Sequence, residues 1–129
     1  MMKDPRVYLV HILECSAKIA RYTRAGKAVF LQEEIIQDAV VRNLEIIGEA
    51  AKRIDDTYRA AHVQIPWRGM AALRDVLIHQ YHGVEMERVW AVVERDLPQI
   101  VRAIRAVLPP LEQLEREIAG DEDDQETAS

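Results

Sequence analysis

An all-α fold, a bundle of four to five antiparallel helices, is what this sequence predicts, and three observations carry that expectation. The 129 residues are rich in Ala, Leu, Ile, Glu and Arg but hold only 5 Gly and 1 Phe, a composition suited to helices. Apolar residues recur at three- and four-residue spacings over long stretches, the period of a helix with one buried face. The stretches are joined by short connections, which favours neighbouring helices packed side by side.

The first helix is expected to start at Asp4, a side chain that can cap free backbone donors, with Pro5 preset for the first helical position. Leu9, Ile12, Leu13, Ser16 and Ala20 then share a face, and Gly26 offers a stop. A longer second helix is expected from Leu31 to Ile54, with Ile36, Val40, Asn43, Ile47 and Ile54 as its inner stripe. "DDTYRAAHVQIPW" reads as a connector with a short helical turn and an extended residue before Pro66. The third helix covers Trp67 to Tyr81, with Gly83 beyond it. A fourth begins near Val84 and carries Val89, Trp90, Val93, Leu97, Ile100, Val101 and Ile104, kinked by Pro98 and stopped by Pro109–Pro110. "LEQLEREIAG" can add a short helix, and "DEDDQETAS" is expected to be disordered. Residues 1–108 thus form one domain and residues 109–129 an acidic tail.

Charge divides along the same boundary. The tail holds eight acids against the single Arg116, so it carries −7 of the overall −5 and leaves residues 1–108 at +2. A mildly basic body permits contact with a polyanion. Cys15, the only cysteine, excludes an internal disulfide and a cysteine-based zinc site. With no long apolar run and no signal-peptide core at the start, a cytoplasmic protein without membrane contact is expected.

One stretch gathers polar chemistry: "ALRDVLIHQYHGVE" places Arg74, Asp75, His79, Tyr81 and His82 together near a helix end. Three readings compete. Arg, His and Tyr on the last turn of a helix can simply be a solvated terminus, where cations suit the dipole. Asp75, His79 and His82 have spacings that a two-His, one-carboxylate metal site tolerates, but the cation Arg74 beside them opposes a metal. The third reading is phosphate chemistry. Arg74 supplies a forked, permanent cation for phosphate oxygens, and His79 titrates near neutrality and can move a proton. Asp75, one turn before His79, can orient the imidazole, and Tyr81 offers a hydroxyl and a flat ring. On one straight helix Arg74 and His79 stand roughly 140° apart at ~100° per residue, so a helix that loosens, or two copies facing each other, would be needed to bring them to one phosphate.

The spacing Arg74-x-x-x-x-His79-x-Tyr81 resembles the R-x4-H-x-Y signature of the HepT-like toxins, a branch of the HEPN superfamily of ribonucleases. Its surroundings match too. "RNLEIIGEAAKRI" (Arg42 to Ile54) looks like the family's second-helix block, "IPWRGMAALRDVLIHQYHGVE" its Pro-Trp block, and "VWAVVERDLPQI" the helix that follows. The resemblance runs from about Asp4 to Leu108 and leaves out the acidic tail. It implies a metal-independent ribonuclease toxin, with no cofactor, cleaving RNA by 2′-hydroxyl attack, with Arg74 and His79 as the catalytic pair. It also implies a homodimer whose two motifs line one cleft, and a neighbouring antitoxin, a minimal nucleotidyltransferase of the MNT type, that silences the toxin by attaching AMP to the motif tyrosine, here Tyr81. Asp75 is the charged option at a position that is Asn or Asp in relatives, and His82 lies outside the signature. Asn43, polar on an apolar stripe, is a further supporting candidate, either near the site or as a buried hydrogen-bonded Asn. Glu49 is expected to pair with Lys52 or Arg53, and Trp67 and Trp90 to anchor the core or a dimer. The alternative function is a non-catalytic HEPN module that binds the nucleotidyltransferase or nucleotides.

Overall fold

The computed structural model describes residues 4–78 and 86–127; the side chains of residues 74–76, 78 and 121–127 fall outside the described set. Every regular element among the described residues is a helix, with no strand, as the composition and period predict. Helix α1 spans Pro5–Tyr22. Asp4 caps it by accepting from the Arg6 N–H at 2.9 Å, and Pro5 sits at the first helical position. The inner face is Leu9, Ile12, Cys15, Ser16 and Ile19. Ser16 satisfies its hydroxyl by donating to the Ile12 carbonyl at 2.8 Å.

Gly26 acts differently from the expected stop. Helix α1 ends earlier, where the Thr23 N–H and hydroxyl both reach the Ile19 carbonyl, at 3.0 and 2.8 Å. Gly26 (φ 96°) instead opens α2, Lys27–Gln32, in a backbone region that only glycine enters without strain. The expected long second helix is therefore divided. Glu33 is extended (φ −102°, ψ 101°) and separates α2 from α3, Glu34–Lys52. Gln37 stabilises the break by donating to the Phe30 carbonyl at 2.9 Å. Phe30 itself is buried and packs on Trp90, with ring centroids 5.4 Å apart.

The connector holds α4, Asp56–Ala61, capped by Asp55, whose carboxylate accepts from the Tyr58 N–H at 2.8 Å. Helix α5 is Trp67–Ile78 and α6 is Met86–Ala91. A π-helical turn, Val92–Asp96, joins α6 to α7, Leu97–Val107. The buried positions Val89, Val92, Leu97, Ile100 and Ile104 include one gap of five residues, and the wide turn spans that gap. It also resolves Pro98, which stands in the first turn of α7, where its missing N–H costs little, instead of mid-helix.

Helix α3 is the centre of the bundle, packed against α1 on one side and α5 on another, with α7 on α1 and α2 on α6. Its buried face is Val40, Asn43, Leu44, Ile47, Gly48, Ala50 and Ala51. The last helix, α8 (Leu111–Thr127), extends past Gly120 through most of the stretch expected to be disordered. Its anchor is Leu114, 1% exposed. The Arg6 guanidinium, which also pairs with Asp4 at 2.7 Å, reaches across to Glu117. The tail is thereby attached to α1 at its start. Among the described residues no helix is long and apolar enough to cross a membrane.

Candidate active site

Helix α5 carries the backbone of Arg74 and Asp75, while His79, Tyr81 and His82 lie outside the described residues. What the structure does give is how α5 is held. Met70, Leu73 and Leu77 are buried along it, at the three- and four-residue spacings that make one face. That face meets α3.

The start of α5 is fixed by a second set of contacts around α4. The Trp67 indole N–H donates to the His62 carbonyl at 2.9 Å. Tyr58 packs on His62 (4.2 Å between ring centroids) and edge-on to Trp67 (6.4 Å). Burial pushes the Tyr58 phenol above its ordinary pKa. Arg59 joins the two helices: it donates to the Ala51 carbonyl at 2.7 Å, near the end of α3, and its guanidinium lies 6.0 Å from the Trp67 ring centre. Sequence reasoning assigned Arg59 nothing, because its partner lies eight positions back and depends on the fold of α4.

Asn43 is buried, 8% exposed, and its amide donates to the Ala39 carbonyl at 2.9 Å. The donor is thus satisfied within its own helix rather than across the bundle. Trp67 and Trp90 are half-buried against the core, as anchors. Glu49 is exposed and makes no ion pair with Lys52 or Arg53, whereas Arg42 pairs with Glu45 at 3.4 Å. Among the described residues no group of three acidic, histidine or cysteine side chains is placed to hold a metal.

The family model for ribonuclease HepT-like proteins matches residues 12–107, about three quarters of the chain. The chain belongs to the HepT-like family. Among curated relatives, a Thermococcus cleftensis protein named "Probable ribonuclease HepT" is 42% identical over 101 residues, 78% of this chain and 92% of its own. A Caldanaerobacter subterraneus protein named "Putative RNase" is 38% identical over 108 residues, 83% of this chain and 96% of its own. A Methanocaldococcus jannaschii protein named "Gamma-glutamylcyclotransferase and putative RNase" is 39% identical over 113 residues. The match covers 87% of this chain but 51% of that relative, so the HepT-like chain spans about half of its length. No solved structure matches the chain. Helix α8 begins just beyond the matched segment.

Proposed function

We propose that this HepT-like chain is a metal-independent endoribonuclease toxin, with Arg74 and His79 as its catalytic residues. The observation that supports this most is the family match across residues 12–107, which includes the whole Arg74-x-x-x-x-His79-x-Tyr81 block. His79 takes the proton from an RNA 2′-hydroxyl as its oxygen bonds to the adjacent phosphorus. The bond from phosphorus to the 5′-oxygen breaks, that oxygen gains a proton, and a 2′,3′-cyclic phosphate remains. Arg74 holds the phosphate and the charge that develops on it. Asp75 orients the imidazole. No metal or other cofactor enters this chemistry.

Two copies form the working cleft, as the family resemblance implies, and this arrangement brings Arg74 and His79 to one phosphate where one straight helix does not. Sedimentation at micromolar concentration should give a dimer, and a monomer alone would remove the shared-cleft model. The partner is a nucleotidyltransferase antitoxin that transfers AMP from ATP to the Tyr81 hydroxyl, releasing pyrophosphate. The added phosphate pairs with Arg74 and the nucleoside blocks the cleft. Residues 1–108 carry the activity, and the acidic tail lies outside it.

The test is cytoplasmic expression without the partner, comparing wild type with His79→Ala. Wild type should arrest growth and cleave RNA, and the variant should fold and do neither. If both fold and neither cleaves, the non-catalytic module that binds the nucleotidyltransferase or nucleotides is the correct reading. Mass spectrometry after incubation with partner and ATP should find AMP on wild type and none on Tyr81→Phe. Adducts that persist in the variant would end the tyrosine assignment.

A further inference from the structure

A second feature of the molecule is electrostatic, and it stands apart from α5. From Cys15 to Gln32 the chain contains Lys18, Arg21, Arg24 and Lys27 and no acid. From Leu97 to Leu111 it contains Arg102 and Arg105 and again no acid. These two segments meet, because α1 packs on α7. Between them runs an open groove of about 470 Å³. Leu13, Ala17 and Ala20 form its α1 wall, and Pro98 and Val101 its α7 wall, with Arg102 and Arg105 lining the α7 rim. Arg21 lies one helical turn beyond Ala17, which sets a cation at the α1 side of the groove, and Arg24 stands in the turn after α1, next to the lining residue Thr23.

Arg21, Arg24, Arg102 and Arg105 are all exposed, and none makes an ion pair or side-chain hydrogen bond among the described residues. Exposed and without an ion pair among the described residues, these arginines are free to meet an anion in solution. The nearby acids are Glu94 and Asp96, exposed in the π-helical turn at one end of the groove, and Glu14 and Glu115, which line the adjoining α1/α8 groove with Arg105. We infer that this groove between α1 and α7 is a second RNA-binding face, which holds the backbone of a single-stranded segment of the substrate away from the cleavage motif.

The inference rests on the ribonuclease reading for its ligand. The chemistry fits a single strand. Two guanidinium groups, Arg102 and Arg105, line the groove for phosphate oxygens, Arg21 and Arg24 lie near its α1 side in sequence, and the floor is apolar and low, with exposed Ala17 and Ala20. A single strand can lay sugars and base edges on such a floor, whereas a duplex turns its bases inward. Arg105 also borders the groove between α1 and α8, whose lining includes Glu14 and Glu115, so the strand has to displace their field from Arg105, and Arg102 meets the phosphates without those two acids in its own groove.

The experiment uses full-length protein and a 20-nucleotide 2′-O-methyl oligouridylate, which cannot undergo 2′-hydroxyl attack, so binding is read whether or not the cleavage mechanism is correct. Affinity is followed by fluorescence anisotropy between 50 and 200 mM salt. Each phosphate contact on a single strand contributes about 0.7 to the slope of log affinity on log salt, so four contacts contribute about 2.8, or about 50-fold across that range. The combined variant Arg21→Gln, Arg24→Gln, Arg102→Gln and Arg105→Gln should lose that slope. Each pair alone, on α1 or on α7, should lose about half. Neutralising Arg42 and Lys52, exposed cations of α3, is the control and should change the slope little. An unchanged slope in the combined variant overturns the inference, as does a loss in the two-residue control equal to that of either two-residue pair, which would mean that only total charge matters. A groove that binds an acidic peptide while RNA affinity stays at the wild-type level also overturns it. Loss of cleavage in His79→Ala with the slope intact leaves the face standing, and absent cleavage in wild type with the slope intact does so too.

Discussion

Leu114→Ala should release α8 and leave the rest of the bundle folded. Leu114 is the buried side chain among the described residues of α8. It is 1% exposed, and it lines an open groove of about 1000 Å³ between α1 and α8. Truncating a buried Leu removes both its transfer energy and its packing, but here the groove lets water fill the space. The cost is therefore placed at the low end of the Leu→Ala range, about 2 kcal/mol. The pair between Arg6 and Glu117 cannot compensate, because it is partly exposed and screened. A loss of about 2 kcal/mol confined to α8 opens it about 30-fold more often. Hydrogen exchange is the assay: amides of residues 113–119 should exchange about 30-fold faster, with those of α3 within about twofold of wild type. Equal acceleration in α3 would show that α8 belongs to the cooperative unit of the body. No acceleration anywhere would show that Leu114 is not the anchor.

Other outcomes follow from the same contacts. Arg6 donates to both Asp4 and Glu117, and this holds the two carboxyls below their usual 3.8 and 4.5. Carboxyls held low in the folded state stabilise it above those values and lose that contribution as pH falls through the folded-state values, so thermal melting should show an acid-side loss below about pH 4. Asp4→Ala should cost about 1 kcal/mol at neutral pH, the usual worth of a helix cap, and flatten that acid-side loss. Asn43→Ala should change stability by less than about 1 kcal/mol, since the lost hydrogen bond lies within α3 and alanine is the better helix former. A fall in RNA cleavage at that unchanged stability would assign Asn43 a positioning role, and intact cleavage would leave it structural.

The core was legible because period alone selects it: Leu9, Ile12, Val40, Ile47, Ile100 and Ile104 all stand on the expected stripes and are buried. Breaks between helices were less legible. The extended Glu33 has no sequence marker, because its conformation is set by Gln37 reaching the Phe30 carbonyl and by Phe30 packing on Trp90. Gly26 was visible as a breaker but not as the opening of a new helix, since the Thr23 hydroxyl ends α1 first. The acidic tail was read from charge density, which favours disorder, while Leu111, Leu114 and Ile118 carry a helical spacing that the groove on α1 can use. For the candidate site, residue types and spacing pointed to phosphate chemistry. The clamp of Tyr58, Arg59, His62 and Trp67 that seats α5 was not readable, because it joins parts of three helices.

The wide turn at Val92–Asp96 amounts to a shift of reading frame in the helix. Buried positions before it run at a step of three, and after it at three and four, with the step of five between Val92 and Leu97. Remove one residue from that interval and the steps become three, four, three, four, which an ordinary helix keeps in phase at 3.6 residues per turn. The core would therefore accept a shorter chain here, where a deletion within α3 would rotate every later side chain by about 100°. Pro98 opposes the change. In an uninterrupted helix its ring would meet the carbonyl of the preceding turn, at a cost of about 3 kcal/mol. The deletion and Pro98→Ala would have to occur together, so the extra residue and the proline hold each other in place.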